Sequence, residues 1–378
     1  MFSSNSAKWL FSSRPAFQAR DMGKTHSLDF LVMMSGFLIV GVVLLHARIN
    51  YDLSAGYTKD SHFYQVNMWY AILETLRMYP VNGFVFISAF RFQYSLLRYK
   101  NYEGEDGRFL YRKYAQKRFK RLAIPYAIWT LVFLLLDYGL YSVRSPMTLA
   151  QMPVQPPTEI ILRLLTHERL VGYQLWFIPM LLFVMLFVVW FRFVLKRPEL
   201  SYAVFAMYLG LRFLTPQLFT DLGPLAEWLI YIINFEFGIL CAHEFYERGR
   251  LLSLRVMFIV WLGITVLRFI PLPGPLPDML YVSAMVVTPL FLYSLAANLI
   301  PQTVSKRNVL YRLGVLTFPI FIIHGPFLTS GIVQVFTQVG LYDLWILIPI
   351  ALVSVSASIL IYRIMEHVVP SRVLEYLF

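Results

Sequence analysis

Cysteine is all but absent from this chain. Cys241 is the single one, which excludes an intramolecular disulfide and any cysteine-rich metal site. Charge is scarce too: Asp, Glu, Lys and Arg make up 14% of the residues, against roughly 25% in a typical soluble domain. Such a chain cannot cover its surface with polar groups, so a large soluble domain is excluded. Acid is the scarcer sign, with 21 acidic residues against 33 basic. The first 26 residues carry Lys8, Arg14, Arg20 and Lys24 against Asp21 and lack the apolar stretch of a cleavable signal. No internal repeat and no low-complexity tract is visible.

Apolar residues supply 58% of the chain and aromatics 17%. The composition predicts an all-α, polytopic transmembrane helical bundle. At 378 residues, spans of about 20 residues plus loops leave room for about ten helices. They are expected near 28 to 47, 79 to 97, 122 to 141, 174 to 195, 199 to 215, 226 to 245, 256 to 272, 279 to 300, 314 to 334 and 344 to 362. The domain plan is a cytoplasmic basic arm over 1 to 27, a transmembrane domain over 28 to 366 and a cytoplasmic tail over 367 to 378. The aromatic, amphipathic segment 63 to 78 suits an interfacial helix. Segment 142 to 173, with its prolines from Pro153 to Pro157, suits either a lid over an outward-facing site or a plain connecting loop.

With the N-terminus inside, 23 of the 33 basic residues fall in cytoplasmic segments, nine of them from Arg98 to Arg121. Five, Arg48, Lys59, Arg144, Arg163 and Arg169, fall on the other side. The positive-inside rule produces that asymmetry and sets both termini in the cytoplasm. The net charge of +12 therefore orients the protein among membrane lipids, and nucleic acid is an unnecessary partner.

The stretch Ser27 to Asn50 organises the chain. From Phe30 to Leu45 it has no formal charge, and it then meets the imidazole of His46. An ionisable group within a span is a functional candidate by default; the alternative is that His46 marks the interface where the helix leaves lipid. Asp29, Arg91, Arg212, Glu236, Arg268, His324 and Glu366 also sit in or beside spans. Facing lipid is costly for all of them, so most are expected to face the bundle interior or a cavity. Asp29 precedes His46 by 17 residues, about 25 Å along a straight helix. It cannot orient the imidazole, and a cap or ligand-orienting group at the cytoplasmic mouth suits it better. If His46 has an acidic partner, that partner has to come from another span or an external segment.

These residues carry a resemblance. SLDFLVMMSGFLIVGVVLLH is similar to the Leu-Asp opening and terminal His of the first helix in the acyltransferase-3 family of integral membrane acyltransferases. NGFVFISAFRF at 82 to 92 resembles that family's Phe-Phe-x-x-Ser-Gly-Phe motif, and RKYAQKRFKRLAIPY at 112 to 126 its arginine-rich stretch ending in Pro. LWFIPMLL at 175 to 182 is similar to its Leu-Trp-Phe-x-Pro motif, FPIFIIHGPFL at 318 to 328 to its Pro-x-Tyr-x-x-His-x-Pro region, and RIMEH at 363 to 367 to its terminal-helix Glu. The six occur in the family's order and span nearly the whole chain. The resemblance implies a membrane-bound O-acyltransferase of a bacterial plasma (inner) membrane, without a metal. It would move an acyl group, acetyl more commonly than succinyl, from acyl-coenzyme A to a hydroxyl of a cell-envelope glycan or lipid-linked sugar.

Two departures stand out. The family usually places an arginine about eleven residues before the first-helix His; here that position is Ser35. Arg91, then Arg121, are the candidates to replace it. The other departure is Ala89 in place of Gly, a small-for-small change expected to preserve close helix packing.

The expected chemistry assigns the residues. A general base with a pKa near neutrality can take the proton of a sugar hydroxyl as the thioester carbonyl is attacked. His46 has that role, or the alternative of a covalent acyl-imidazole carrier. Arg118 and Arg121 are the best placed for coenzyme A phosphates, with Arg91 and Asp29 beside them as donor-binding candidates; topology setting and anionic-lipid binding also explain the basic loop. Trp176 and Glu236 are substrate-site candidates, although interfacial anchoring suits Trp176 equally. His324 either binds substrate or is a buried histidine bonded between helices. A path is expected from the Arg118 and Arg121 side to His46. Two other functions fit the composition: a transporter of a lipid-linked sugar or oligosaccharide, which would more often show related halves, and a non-catalytic partner in polysaccharide export.

Overall fold

The computed structural model describes residues 11–13, 28–55, 79–98, 107–144, 173–190, 224–248, 250–270, 276–301, 304–340 and 344–378, with positions 203, 207, 210 and 273. In chain order, strand β1 (Phe11–Ser13) comes first, then α1 (Asp29–Ala55), whose acidic first residue suits the positive end of the helix dipole. Helix α2 (Pro80–Arg98) opens on a proline, favoured where the backbone N–H has no helical partner. The polar α3 (Gly107–Arg118) passes through one π turn (Phe119–Ala123) into the apolar α4 (Ile124–Arg144). A 3₁₀ turn (Tyr173–Trp176) leads into α5 (Phe177–Trp190). Next come α6 (Pro224–Arg248), β2 (Arg250–Leu252), α7 (Leu254–Leu267), α8 (Leu276–Leu299) and α9 (Val309–Val315). Last are α10 (Thr317–Ile323), α11 (Pro326–Gln338), a 3₁₀ turn (Leu344–Ile346), α12 (Leu347–Val368) and α13 (Ser371–Leu377).

The chain is mostly helical, as its composition requires. Among the described residues, three helical stretches are long and apolar enough to cross a membrane: Asp29–Ile49, Met279–Leu299 and Leu347–Val368. Over the span expected at 314 to 334, two helices bent by 59° together make a fourth candidate. Helix α7 has 14 residues, short of the about 20 that a full crossing takes, where a span over 256 to 272 was expected. The terminal helix runs to Val368, beyond the expected 362. The all-α expectation also lacked one small feature, an antiparallel ribbon pairing Phe11 with Leu252, Ser12 with Leu251 and Ser13 with Arg250. The segments 63 to 78 and 142 to 173, and nearly all of 199 to 215, lie outside the described residues.

The described elements form two compact units. The first takes α1 as far as Leu45, α2, the ribbon and α6 to α9. Its core is aromatic: Phe30 stands edge-on to Phe90 at 6.2 Å and packs against Phe245 at 5.9 Å and Tyr293 at 6.1 Å. Tyr293 also meets Phe86 at 5.2 Å and Phe90 at 5.5 Å. Small residues let backbones approach around this core. A side chain on Gly36 would strike the Leu310 carbonyl, one on Gly314 the Val32 carbonyl, and one on Gly238 the Phe86 carbonyl and the methyl of Ala89. The close packing expected at Ala89 is therefore present, with Gly238 of α6 opposite it. A buried Asn234–Asn82 hydrogen bond of 2.8 Å ties α6 to α2, and Ser294 and Asn298 of α8 donate to the Leu252 carbonyl of the ribbon.

The second unit takes α1 from His46, α3 from Tyr111, α4, α5 as far as Phe187, and α10 to α13. Helix α12 shows how lipid shapes it. Its buried residues are Leu347, Ile350, Ala351, Ser354, Val355 and Ser358, one stripe at helical spacing, whereas Ile348, Leu352, Val353, Leu360, Ile361 and Ile364 are exposed. Water would reverse that pattern; a hydrocarbon solvent gives no penalty to exposed Leu and Ile and rewards small inward residues that pack closely. At its far end the Trp129 indole donates to the Leu377 carbonyl at 2.8 Å, and Phe378 packs against both Trp129 and Tyr362.

Candidate active site

Helix α1 continues for nine residues past His46, to Ala55, and the imidazole is buried. It does not mark the end of the helix. Its partner comes from the break between α10 and α11, and the local sequence explains that break. Pro326 has no backbone N–H to offer the Ile322 carbonyl four residues earlier, and the helix axis bends by 59° between α10 and α11. Past the bend the His324 carbonyl accepts from the Thr329 hydroxyl at 2.6 Å and from the Thr329 N–H at 3.3 Å. This leaves the fully buried His324 ring facing α1.

Nδ1 of His46 lies 2.7 Å from Nε2 of His324, and Nδ1 of His324 lies 2.8 Å from the Ile320 carbonyl oxygen. The ring centroids are 5.0 Å apart and the planes differ by 9°. That separation is the sum of one hydrogen bond and the two ring radii, so the rings meet edge to edge and nearly coplanar. An aromatic line leads away from them within the second unit. Phe321 packs against His324 at 6.1 Å, Phe177 stands on Phe321 at 5.6 Å, and Trp176 is edge-on to Phe177 at 6.4 Å. Trp176, half-buried at the end of the 3₁₀ turn, thus reaches the histidine pair through two phenylalanines.

The second unit also holds Arg118 and Arg121, at and within the π turn. Arg121 is exposed and Arg118 half-buried. The Arg118 guanidinium lies over the Tyr114 ring, 5.2 Å from its centroid, a cation–π contact at helical spacing. Burial pushes the Tyr114 phenol up to about 12, with Arg118 acting in the opposite sense. The ring is a neutral platform under the cation across the physiological range. Arg48, counted from sequence among the external charges, is buried two residues beyond His46.

Asp29, Arg91 and Glu236 belong to the first unit. Asp29, at the start of α1, accepts the Val304 N–H at 3.2 Å, so its carboxylate anchors the chain ahead of α9. Arg91 is exposed on α2. Glu236 is buried on α6, two residues from the Asn234 that bonds Asn82. Ser35, at the position where an arginine was expected, is buried, and its hydroxyl donates to the Leu31 carbonyl at 2.8 Å. Among the described residues no group of three His, Cys, Asp or Glu side chains is arranged to hold a metal.

Of the residues singled out from sequence, the structure joins His46 to His324 directly and connects Trp176 to them through aromatic rings. Sequence reasoning left out Phe177 and Phe321, the two links, although both lie inside the motifs quoted for the resemblance. It also left the partner of His46 unnamed, and the structure brings a second imidazole to it.

Neither curated proteins nor solved structures gave a match. A family model described as an acyltransferase domain matches residues 29–363, nearly the whole chain and every residue of the histidine pair and its aromatic line. With apolar membrane-spanning helices, a buried histidine in the first of them and the Leu-Trp-Phe-x-Pro segment beside it, this integral membrane chain belongs to the acyltransferase-3 family.

Proposed function

We propose that the protein is an acyl-coenzyme A-dependent O-acyltransferase acting on a hydroxyl of a cell-envelope glycan or lipid-linked sugar, with acetyl the first choice of acyl group and succinyl the second. Family membership supports the reaction class, and the observation that carries the assignment to a site is the buried His46, hydrogen-bonded by His324. In the proposed reaction His46 takes the acceptor's hydroxyl proton, the oxygen attacks the thioester carbonyl, the C–S bond breaks, and the proton passes to the thiolate. An ester and free coenzyme A result. Arg118 and Arg121, on the same basic segment, are assigned to the phosphates of coenzyme A, where charge-assisted hydrogen bonds are strong. Trp176 is assigned to the acyl or sugar site. A bacterial plasma membrane, ten spans and two cytoplasmic termini complete the proposal, on the charge asymmetry of the loops.

One observation favours a non-catalytic export partner instead: Ser35 stands in place of the family's arginine, with its hydroxyl turned onto its own helix. The two readings separate in one experiment. Surface glycans are compared by mass spectrometry in cells with no protein, the native protein, or His46→Ala at matched membrane levels. An acyl mass added by the native protein and missing from His46→Ala supports the enzyme and names the acyl group. Identical acylation in all three, with altered glycan export, would overturn it in favour of transport or scaffolding.

A further inference from the structure

We infer that His324 is a positioning residue for the proposed transfer, which fixes the tautomer of His46 through the backbone carbonyl of Ile320. The inference rests on the acyltransferase reading for its chemistry and on the hydrogen bonds alone for its geometry.

The chain of donors has one solution for neutral rings. The Ile320 carbonyl oxygen can only accept, so the proton of His324 is on Nδ1, 2.8 Å away. A neutral imidazole carries one N–H and one lone pair, so Nε2 of His324 is an acceptor. The 2.7 Å contact then requires Nδ1 of His46 to donate, and the lone pair of His46 is left on Nε2, at the opposite edge of the ring. Nε2 is therefore the basic atom. The anchor is firm because Ile320 lies one helical turn before His324 and its carbonyl also takes the His324 backbone N–H at 2.9 Å.

During transfer the acceptor proton moves to Nε2 of His46, the acceptor oxygen bonds to the acyl carbon, the C–S bond breaks, and the Nε2 proton passes to the departing sulfur. Between those two proton movements His46 is an imidazolium whose Nδ1–H stays on the lone pair of His324, and His324 keeps its own proton throughout. A neutral histidine thus takes the place that a carboxylate holds in a Ser-His-Asp triad. This assigns His324 a role distinct from contact with substrate.

The test uses the full-length protein in lipid nanodiscs, labelled with ¹⁵N-histidine, as wild type, His324→Gln and His324→Phe. His46 signals are identified by their loss in His46→Gln. Turnover is followed as release of free coenzyme A from acetyl-coenzyme A, with mixed methyl glycosides as acceptors. In the wild type the His46 Nδ1 signal is that of a protonated nitrogen and Nε2 that of a bare one. His324→Gln, whose amide oxygen accepts from Nδ1, keeps both that signature and a kcat within about tenfold of wild type. His324→Phe moves the proton to Nε2, the form free imidazole prefers in water, and kcat falls about 10²-fold or more with KM for acetyl-coenzyme A unchanged. A wild-type His46 with Nδ1 bare, or a folded His324→Phe with undiminished kcat, overturns the inference. If His324→Phe does not yield a monodisperse protein, a His324→Gln that loses the Nδ1–H signature overturns it equally. A wild type with the predicted signature but no coenzyme A release would overturn the acyltransferase reading itself, and with it the role in transfer, while leaving the tautomer assignment in place.

Discussion

The two units use their buried volume differently. In the first, an aromatic cluster around Phe30, Phe90, Phe245 and Tyr293 forms the core, and Gly36, Gly238 and Gly314 sit against backbone carbonyl groups. In the second, the buried His46–His324 pair sits at the bend between α10 and α11, and a line of aromatic rings leads away from it. Substitutions should therefore cost the first unit its assembly and the second its chemistry.

The largest effect is expected where backbones touch. Gly36→Leu or Gly238→Leu would drive a side chain into a neighbouring carbonyl and should abolish the monodisperse peak in detergent size-exclusion chromatography, since the obstacle is backbone and cannot rotate away. A normal elution profile for either would break the comparison at its root.

Phe90→Ala and His46→Gln then form a pair. Removing the fully buried Phe90 should destabilise by about 3–5 kcal/mol, seen as a large drop in Tm. His46→Gln keeps an N–H to offer His324, so no buried acceptor is orphaned; Tm should stay close to wild type while coenzyme A release falls by about 10²–10⁴-fold. The comparison fails if the histidine variant melts as early as the phenylalanine one.

Helix α12 sharpens the contrast between lipid and protein faces. Ser354→Leu overfills a buried position and should cost about 1–3 kcal/mol, whereas Leu352→Ala on the exposed face should stay within about 0.5 kcal/mol. Equal losses on thermal denaturation would mean that the exposed flank is covered by protein. The smallest effect expected is that of Trp129→Phe. It keeps a ring against Phe378 and deletes the hydrogen bond to Leu377, worth about 1 kcal/mol, and should leave coenzyme A release unchanged.

Much of the fold was readable because lipid imposes strong rules on sequence. The unbroken run from Phe30 to Leu45 predicts α1, and apolar runs of similar kind predict α8 and α12, with ends within several residues. The bend at His324 was also written there, in a Gly-Pro pair, but a window of average apolarity over 314 to 334 reads across it. The ribbon escaped because three-residue strands have no periodicity to detect. His46 and His324 stood out one at a time, as costly groups in apolar surroundings. Their pairing joins positions 278 residues apart, a separation at which local patterns carry no information. Phe177 and Phe321 were invisible as site residues for a plainer reason: among 32 phenylalanines, nothing local marks the two that touch.

The π turn at Phe119–Ala123 has a consequence for how this chain can vary. A π turn amounts to one residue more than an α-helix needs over the same stretch, so it is the natural trace of a single inserted codon. Removing one residue there would let α3 and α4 run on as ordinary helix while turning everything upstream by about 100° about the axis. The exposed Lys113 and Lys117, four residues apart on α3, would then point a new way relative to the greasy flank of α4, with length, composition and charge almost untouched. Heritable rotation of that kind is a way to re-aim a basic arm without redesigning it.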